Sequence, residues 1–265
     1  MAINFRRVSR KLIRTWQTRF PLFLDLKFDV KDIVSKILRK PLTNDFRALK
    51  YLSIIEGECI IDVGGNRGQS IRAIKIFHPE VKIHSFEPNS FLAEKLIRKY
   101  RSDPDVEIHS FGLGHEEFEG PLYIPFYRSW MFDGLASFDY ESAASWLNPN
   151  TISGFDKALL HISEKICKIK KLDDFNFSPV FIKIDVQGLE EKVLCGGLST
   201  LQRHRPLLLI EDAHHLIEML SDLGYQEFHF DGSGFIKPLR RTTNSFFATS
   251  DMLARLQAGG LTVRP

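Results

Sequence analysis

Short runs of consecutive apolar residues alternate along this chain with stretches in which apolar residues recur every three or four positions. The runs are typical of strands buried on both faces of a sheet, and the stretches are typical of amphipathic helices. The pattern predicts strands near residues 59–63, 82–87, 106–111, 180–186, 206–211, 225–230 and 244–250. It predicts helices near residues 46–55, 69–77, 90–101, 189–203 and 213–223. Such alternation predicts a parallel sheet with helices on both faces.

The end of the chain follows a different order. No helical pattern separates the last two predicted strands, which are joined by a turn at residues 231–234 (DGSG). A strand that returns without a helix pairs antiparallel. We therefore predict an α/β, Rossmann-like sheet of seven strands, mostly parallel, with an antiparallel last strand.

The stretch between the third and fourth predicted strands interrupts the alternation and is rich in aromatic residues, Pro and Gly. So long a connection inside an α/β domain is usually functional. We predict that this insertion, at about residues 115–178, forms a small hairpin and a lid over an active site.

The first residues of the chain form a separate pattern. Phe5, Val8, Leu12, Trp16 and Phe20 lie three or four positions apart, with arginines between them. This predicts a basic amphipathic helix in an extension over residues 1–45, ahead of a main domain over residues 46–265. The helix is expected either on an anionic membrane surface, or packed on its own domain or on the second subunit of a homodimer.

The net charge of +3 is concentrated in that extension, because residues 1–40 hold eleven Lys and Arg but three acids. The mildly acidic remainder argues against a nucleic-acid groove. Three cysteines, far apart in the sequence, are typical of reduced thiols. No apolar stretch approaches the roughly 20 residues of a transmembrane helix. We expect a cytoplasmic protein, with peripheral contact at the inner membrane surface if the N-terminal helix binds lipid.

A glycine-rich loop follows the first predicted strand. Asp62 precedes Gly64, Gly65 and Gly68, and a helical pattern starts directly afterwards. Such a loop either holds a nucleoside-bearing ligand at the carboxyl edge of a parallel sheet or is an ordinary strand–helix turn. The glycines, at relative positions 1, 2 and 5, do not fit the 1, 3 and 6 of a dinucleotide fingerprint. They fit the D-x-G-x-x-x-G pattern of S-adenosylmethionine (SAM) methyltransferases, and Glu87 after the next strand would accept hydrogen bonds from both ribose hydroxyls.

Seven segments together resemble the FkbM family of SAM-dependent methyltransferases over roughly residues 50–215. They are IDVGGNRGQS (61–70), FEPN (86–89), FGLG (111–114), GLASF (134–138), LDDF (172–175), IKIDVQGLE (182–190) and PLLLIE (206–211). The resemblance implies a seven-stranded methyltransferase sheet, SAM as cofactor, and methyl transfer, usually to a hydroxyl of a sugar, polyketide or other natural product. The residues that we expect to bind SAM are Asp62, Gly64, Gly65, Asn66, Gly68, Ser70, Glu87, Pro88, Asn89, Gly112 and Asp185.

The sequence departs from the family pattern at three positions. Gly65 and Leu189 stand where the family usually has Ala, and Gln187 stands where it usually has Glu. A glycine at position 65 is harmless in a tight loop. Gln187 keeps its hydrogen-bonding capacity but lacks the charge, which puts an acid–base role at this position in doubt.

Methyl transfer from a sulfonium to a hydroxyl needs aligned reactants, exclusion of water and a group that removes the hydroxyl proton. Asp185 is the best candidate for this group, because it follows a buried strand at the same edge of the sheet as Gly64. Four roles are open to it: it would act as the base, orient the substrate, bind the cofactor's ammonium group or cap the next helix. Glu211 ends the next strand and would contact substrate or lie in solvent. His214 and His215 follow, and an imidazole is a common general base, although such histidines are often structural.

We expect three further side chains to contact substrate or form the lid: Trp130, Ser137 and Gln187. Ser137 is alternatively a plain turn residue, and His115 and His161 are weaker candidates for catalysis. Asp212 with His214 and His215 is the nearest approach to a metal-binding group, but its spacing is unconvincing and we predict no metal.

The leading hypothesis is a SAM-dependent O-methyltransferase acting on a small-molecule or glycan acceptor, which the sequence does not name. One alternative is an inactive SAM-binding module that the basic helix recruits to a membrane or complex. Intact Gly64, Glu87 and Asp185 weigh against it. The other, disfavoured by the glycine spacing and the antiparallel last strand, is a nicotinamide oxidoreductase.

Overall fold

The computed structural model describes residues 43–238 and 242–264, together with Thr15, Thr18 and Pro41. The described residues divide into two compact units. The inserted unit contains Glu119–Cys167 together with Thr15 and Thr18, and the main unit contains Pro41, residues 43–118 and the described residues from Lys168 onward. The segment Glu119–Cys167 lies within the insertion predicted at about residues 115–178.

The predicted N-terminal helix lies outside the described residues, apart from Thr15 and Thr18, which are both helical. Oγ1 of Thr15 accepts a hydrogen bond from the backbone N–H of Ser153, 2.9 Å away. Both residues belong to the inserted unit, so this contact lies within it.

The strands, numbered along the chain, are β1 (Cys59–Val63), β2 (Lys82–Phe86), β3 (Val106–His109), β4 (Gly112–Leu113), β5 (Phe118–Tyr127), β6 (Trp130–Met131), β7 (Leu160–Lys170), β8 (Pro179–Ile184), β9 (Leu207–Glu211), β10 (Gln226–Phe230), β11 (Gly234–Ile236), β12 (Asn244–Ala248) and β13 (Thr262–Arg264). The helices are α1 (Gln69–Phe77), α2 (Ser90–Tyr100), α3 (Tyr140–Ser145), α4 (Glu190–Cys195), α5 (Leu198–His204), α6 (Ile217–Asp222) and α7 (Ser250–Ala258). Short 3-10 helices cover Asp45–Tyr51, Asp133–Leu135, Lys157–Leu159, Leu172–Asp174 and Ala213–Leu216. None of the helices in the described part of the chain is long and apolar enough to cross a bilayer.

The main unit contains a sheet with the order β13-β11-β10-β12-β9-β8-β1-β2-β3. The predicted strands are all present, and β12 runs antiparallel to both β9 and β10, as predicted. The sheet has nine strands rather than the predicted seven, because β11 and β13 extend it beyond β10. Strands of three residues are too short to show a hydrophobic pattern, which is why the sequence did not reveal them.

Successive residues of β1 point to opposite faces of the sheet and belong to different cores. Ile60 packs with apolar residues of α1, α2 and α7, and Ile61 packs with those of α4, α5 and α6. Both side chains are fully buried. This two-sided burial is the physical reason that β1 appears in the sequence as an unbroken apolar run.

The helix predicted over residues 189–203 is two helices, α4 and α5, separated at Gly196 and Gly197. A Cβ added to Gly196 would lie 1.8 Å from the carbonyl oxygen of Gly114. The break therefore coincides with a close approach of two backbone segments that no side chain at position 196 would allow.

The inserted unit contains the predicted hairpin. In its sheet β5 pairs antiparallel with β6 and lies next to β7. Tyr127, Leu147 and Ile152 form a small buried core, and the Tyr127 hydroxyl accepts a hydrogen bond from the backbone N–H of Asp156 at 2.8 Å. The unit thus has a core of its own, and its role as a lid stays a prediction.

Candidate functional site

A cavity of about 290 Å³ opens beside the carboxyl ends of β1, β8 and β9 in the main unit. Six of the predicted site residues line it: Gly64, Gly65, Asn66, Ser70, Asp185 and Glu211. Lys183, Thr43 and Asn244 also line it and were not predicted. The fold therefore brings the glycine loop and two of the predicted catalytic residues to one cavity.

The loop at residues 64–68 is held against β2 and β8. The backbone N–H groups of Gly64 and Gly65 both donate to the carbonyl oxygen of Phe86, at 3.0 and 3.1 Å. Gly64 has φ +84°, and a Cβ there would lie 2.0 Å from the carbonyl oxygen of Asp185. Glycine is thus required at position 64 both by its backbone conformation and by the approach of the chain after β8.

Asp62 supports this loop from beneath the surface. Its side chain is fully buried, and Oδ2 accepts a hydrogen bond from the Ser85 hydroxyl at 2.8 Å. Oδ1 is buried and has no hydrogen-bond partner among the described residues. A Cβ at Gly65 would lie 2.4 Å from Ser85 Oγ, so the absence of a side chain at position 65 leaves room for the Ser85–Asp62 bond.

Lys183 is a site residue that the sequence analysis missed. Its Nζ donates to the carbonyl oxygen of Gly64 at 2.9 Å, and lies 3.6 Å from Asp62 Oδ1 and 3.3 Å from Asp185 Oδ2. The side chain is 11% exposed. The sequence did contain a clue to its role, because Lys183 is the single lysine within the otherwise apolar β8. A lysine in a buried strand needs charged partners nearby.

Gln187 joins the two predicted acids. Its Nε2 donates to Asp185 Oδ1 and to Glu211 Oε2, both at 3.0 Å. Burial opposes ionisation of Asp185, but Lys183 and hydrogen bonds with Glu211 and Gln187 hold the pKa of its carboxyl below the usual range. The hydrogen bond with Asp185, followed by burial, raises the pKa of Glu211 to about 7. At neutral pH the pair therefore favours an ionised Asp185 beside a Glu211 that is about half protonated.

The backbone after β8 is fixed by a second buried acid, Glu190, to which no role was assigned from the sequence. Glu190 is 2% exposed and accepts hydrogen bonds from the N–H groups of Val186 and Gly188 at 3.0–3.2 Å. Gln187 and Gly188 both have positive φ, at +57° and +97°. The Glu190 carboxylate thus stabilises the unusual backbone that directs Gln187 toward the acids.

Glu87 lies below the loop and is not among the residues that line the cavity. It is 5% exposed, and its two carboxylate oxygens accept backbone hydrogen bonds from Asn66 at 2.6 Å and from Asn89 at 2.9 Å. Burial raises the pKa of Glu87 to about 7, although these two hydrogen bonds act in the opposite direction. Each oxygen has a second lone pair that can accept a ligand hydroxyl.

Three other residues expected to bind the cofactor also have clear local roles. Oδ1 of Asn89 accepts from the N–H of Phe91 at 3.1 Å and caps α2. A Cβ at Gly112 would lie 2.6 Å from Ile169 and 3.4 Å from Pro88. Like Glu87, these three residues do not line the cavity.

The predicted histidines do not line the cavity either. His214 lies in the 3-10 helix after Glu211, with Nε2 4.0 Å from Oδ1 of Asp212, a residue whose side chain is 86% exposed. His215 and His115 are exposed, and His115 pairs with Glu116 at 3.4 Å. The arrangement favours the carboxyls over His214 as the central groups.

The predicted substrate residues Trp130 and Ser137 belong to the inserted unit. Trp130 is buried in β6. Ser137 exchanges two backbone hydrogen bonds with Tyr123, at 2.8 and 3.0 Å, and its Oγ accepts from the N–H of Asp139. His161 in the same unit is exposed. Contact of any of these side chains with substrate stays a prediction.

Comparison with known proteins identifies a family. The family model described as "Methyltransferase FkbM domain" matches residues 62–227, more than half of the 265-residue chain. No curated protein is significantly similar in sequence.

Several solved structures are similar at low sequence identity. Methyltransferase FkbM from Methylobacillus flagellatus is 16% identical with a TM-score of 0.46, and the match covers 74% of this chain and 44% of that one. A SAM-dependent O-methyltransferase from Thermotoga maritima is 14% identical with a TM-score of 0.38, covering 79% and 65%. Aeropyrum pernix fibrillarin, in complex with SAM, is 14% identical with a TM-score of 0.37, covering 78% and 76%. The chain thus spans less than half the length of the M. flagellatus structure.

Proposed function

The chain belongs to the FkbM methyltransferase family, and we propose that it transfers a methyl group from SAM to a hydroxyl of a sugar, glycan or secondary metabolite. The observation that carries this proposal is the position of the glycine loop, Asp185 and Glu211 around one cavity. The carboxyls favour a hydroxyl acceptor, because an alcohol must lose its proton when it is methylated.

The residues around the loop suit SAM. Gly64 and Gly65 present backbone without side chains at the cavity, and the buried Oδ1 of Asp62 has no hydrogen-bond partner in the described part of the chain. The free lone pairs of Glu87 suit the ribose hydroxyls, and Asp185 suits the ammonium group or the acceptor. When bound, SAM supplies an electrophilic methyl group on a positively charged sulfur.

We assign Asp185 the central role in proton removal. Lys183, 3.3 Å away, keeps the Asp185 carboxylate ionised and so able to accept a proton, although the lowered pKa makes it a weaker base. With SAM bound, the methyl–sulfur bond would break as the C–O bond forms, S-adenosylhomocysteine would leave, and the acceptor's proton would pass to Asp185. Gln187 holds Asp185 and Glu211 in place through its two hydrogen bonds, so that neither carboxyl must reorganise during the reaction.

The partners follow from the same proposal. The acceptor is a small molecule or glycan rather than a nucleic acid, and Trp130 and Ser137 are the residues of the insertion that we propose as its contacts. We propose that the predicted N-terminal helix serves peripheral membrane contact or a homodimer. Release of the full-length chain from anionic vesicles by salt, compared with a chain lacking residues 1–40, distinguishes these two roles.

Binding and turnover measurements test the proposal in sequence. Calorimetry is expected to show binding of SAM and S-adenosylhomocysteine and no binding of NAD(H). Transfer of labelled methyl from SAM to a panel of sugars, glycans and polyketides is then expected for hydroxyl acceptors. Tighter binding of NAD(H) would favour the oxidoreductase, and SAM binding with no transfer to any acceptor would favour the inactive module.

A further inference from the structure

Three potential metal ligands meet on the face of the two neighbouring strands β2 and β3. His84 and Glu107 are register partners in the parallel ladder, and His109 is the partner of Phe86, two residues after His84. Side chains two residues apart on a strand share a face, so all three point the same way. Among the described residues, no other group of at least three His, Cys, Asp and Glu brings its ligand atoms together in this way.

The distances among the three side chains fit a shared metal ion. Nδ1 of His84 lies 3.3 Å from Nε2 of His109 and 3.4 Å from Oε2 of Glu107, and Nε2 of His109 lies 3.8 Å from Oε1 of Glu107. Ligands about 2.0–2.2 Å from a tetrahedral Zn²⁺ are roughly 3.3–3.6 Å apart. At 3.3 Å the two nitrogens are also within reach of a direct hydrogen bond between the rings, which a bound metal ion would replace.

The two imidazoles are held in place while the carboxylate reaches solvent. The ring of Phe177 stacks on His84 with centroids 4.0 Å apart, and the ring of Phe86 stacks on His109 at 4.5 Å. The histidine side chains are 10% and 12% exposed, whereas Glu107 is 51% exposed. Rigid imidazoles beside an accessible carboxylate allow an ion to enter and leave the fourth coordination position to water.

The charged residues around the three ligands have opposing effects on the binding of a cation. Lys82 acts on both imidazoles and Lys170 on His109, and both lysines oppose a cation. The carboxylate of Glu107 lies within 3.4–3.8 Å of the two ring nitrogens and attracts a cation. The ligand set of two imidazoles and one carboxylate selects a transition metal such as Zn²⁺ rather than Mg²⁺, which prefers oxygen ligands.

We propose that His84, Glu107 and His109 bind a divalent transition metal ion, best matched by Zn²⁺, which ties the edge strand β3 to β2. The strand β3 has four residues and lies at the edge of the sheet, with β2 as its neighbour, so the metal ion would add a second link between these two strands beside their backbone hydrogen bonds. Spacing in the sequence did not reveal the site, because His84 and Glu107 are 23 positions apart and meet only through strand register.

Zinc binding by the metal-stripped full-length chain tests the proposal. Calorimetry with Zn²⁺ is expected to give one tight equivalent, and Zn²⁺ is expected to raise the midpoint of thermal unfolding. Mg²⁺ at the same concentration is expected to leave the midpoint unchanged. Glu107→Gln and His109→Ala should each weaken Zn²⁺ binding at least tenfold and remove the thermal shift.

The variant Glu107→Gln still tests the proposal if His109→Ala fails to fold. Because the Glu107 side chain is half exposed, its substitution should leave the fold intact. The matched control is His115→Ala, which removes an exposed histidine that also pairs with a glutamate. The control should bind Zn²⁺ as the wild type does. Equal Zn²⁺ affinity in the wild type and Glu107→Gln, or an equal thermal shift with Mg²⁺, would overturn the proposal.

Discussion

The side-chain amide of Gln187 donates a hydrogen bond to Glu211, 3.0 Å away at the end of the neighbouring strand. The same nitrogen also donates to Asp185. An amide carries two donor hydrogens, so Gln187 can join both carboxyls without adding charge. A glutamate at this position, as the family usually has, would place a third carboxylate between the two. The neutral residue is therefore suited to hold Asp185 and Glu211 together.

Asp185→Asn should retain the fold and lower the rate of methyl transfer by about 10²-fold or more, the usual contribution of one positioned base or electrostatic group. Gln187→Ala removes a positioning residue and should cost on the order of tenfold. Single-turnover transfer of labelled methyl measures both effects. Asp212→Asn is the matched control, because Asp212 follows Glu211 directly but its side chain is 86% exposed.

An equal loss of rate in Gln187→Ala and Asp185→Asn would contradict this assignment of roles. Glu211→Gln, His214→Ala and His215→Ala would then identify the base. A rate profile that titrates near 7 and loses this step in Glu211→Gln would assign proton removal to Glu211.

Lys183→Met should destabilise the protein by roughly 3–5 kcal/mol, because it leaves the buried carboxylate of Asp62 without its nearest cation. It should also raise the pKa of Asp185, which Lys183 holds down. Urea unfolding measures the first effect. Lys171→Met is the control, since the Lys171 side chain is 43% exposed and pairs with Asp174 at 3.6 Å. Its cost should stay below about 1 kcal/mol, and equal costs for the two variants would argue against a buried ion pair.

Gly65→Ala should destabilise the chain by about 1–2 kcal/mol, although Ala is common at this position in the family. The new Cβ would lie 2.4 Å from Ser85 Oγ, which must turn away from Asp62 to avoid it. The cost should be clearly smaller in the Ser85→Ala background, where this oxygen is absent. A double-mutant cycle by urea unfolding measures the difference, and additive effects would show that Ser85 is not the obstacle.

The sequence revealed features that depend on local patterns. The strand β1, the glycine loop and Asp185 follow one another within short apolar and glycine-rich segments. Lys183 was missed because its partners Asp62 and Gly64 lie about 120 positions earlier in the chain. The bridge from Gln187 to Glu211 likewise depends on the parallel pairing of β8 and β9 rather than on any spacing along the sequence.

Glu87 should make the stability of the protein depend on pH. Burial raises its pKa to about 7 in the folded protein, against an ordinary value of 4.5. Protonated Glu87 therefore adds to the free energy of unfolding. This contribution is fully present below pH 4.5 and is lost as the pH rises through 7. Because one pKa unit corresponds to about 1.4 kcal/mol, the wild type should lose roughly 2–3 kcal/mol between pH 5 and pH 8 relative to Glu87→Gln, which cannot titrate.

Urea unfolding at these two pH values measures this difference, and Glu94→Gln on the exposed side of α2 is the control. Glu211 also has a raised pKa, but it is present in all three proteins and cancels in the comparison. The constant cost of replacing a carboxylate that accepts two backbone hydrogen bonds cancels as well, because only the change with pH is compared. If the wild type and Glu87→Gln lost stability in parallel, Glu87 would be ionised throughout this range and held by the N–H groups of Asn66 and Asn89.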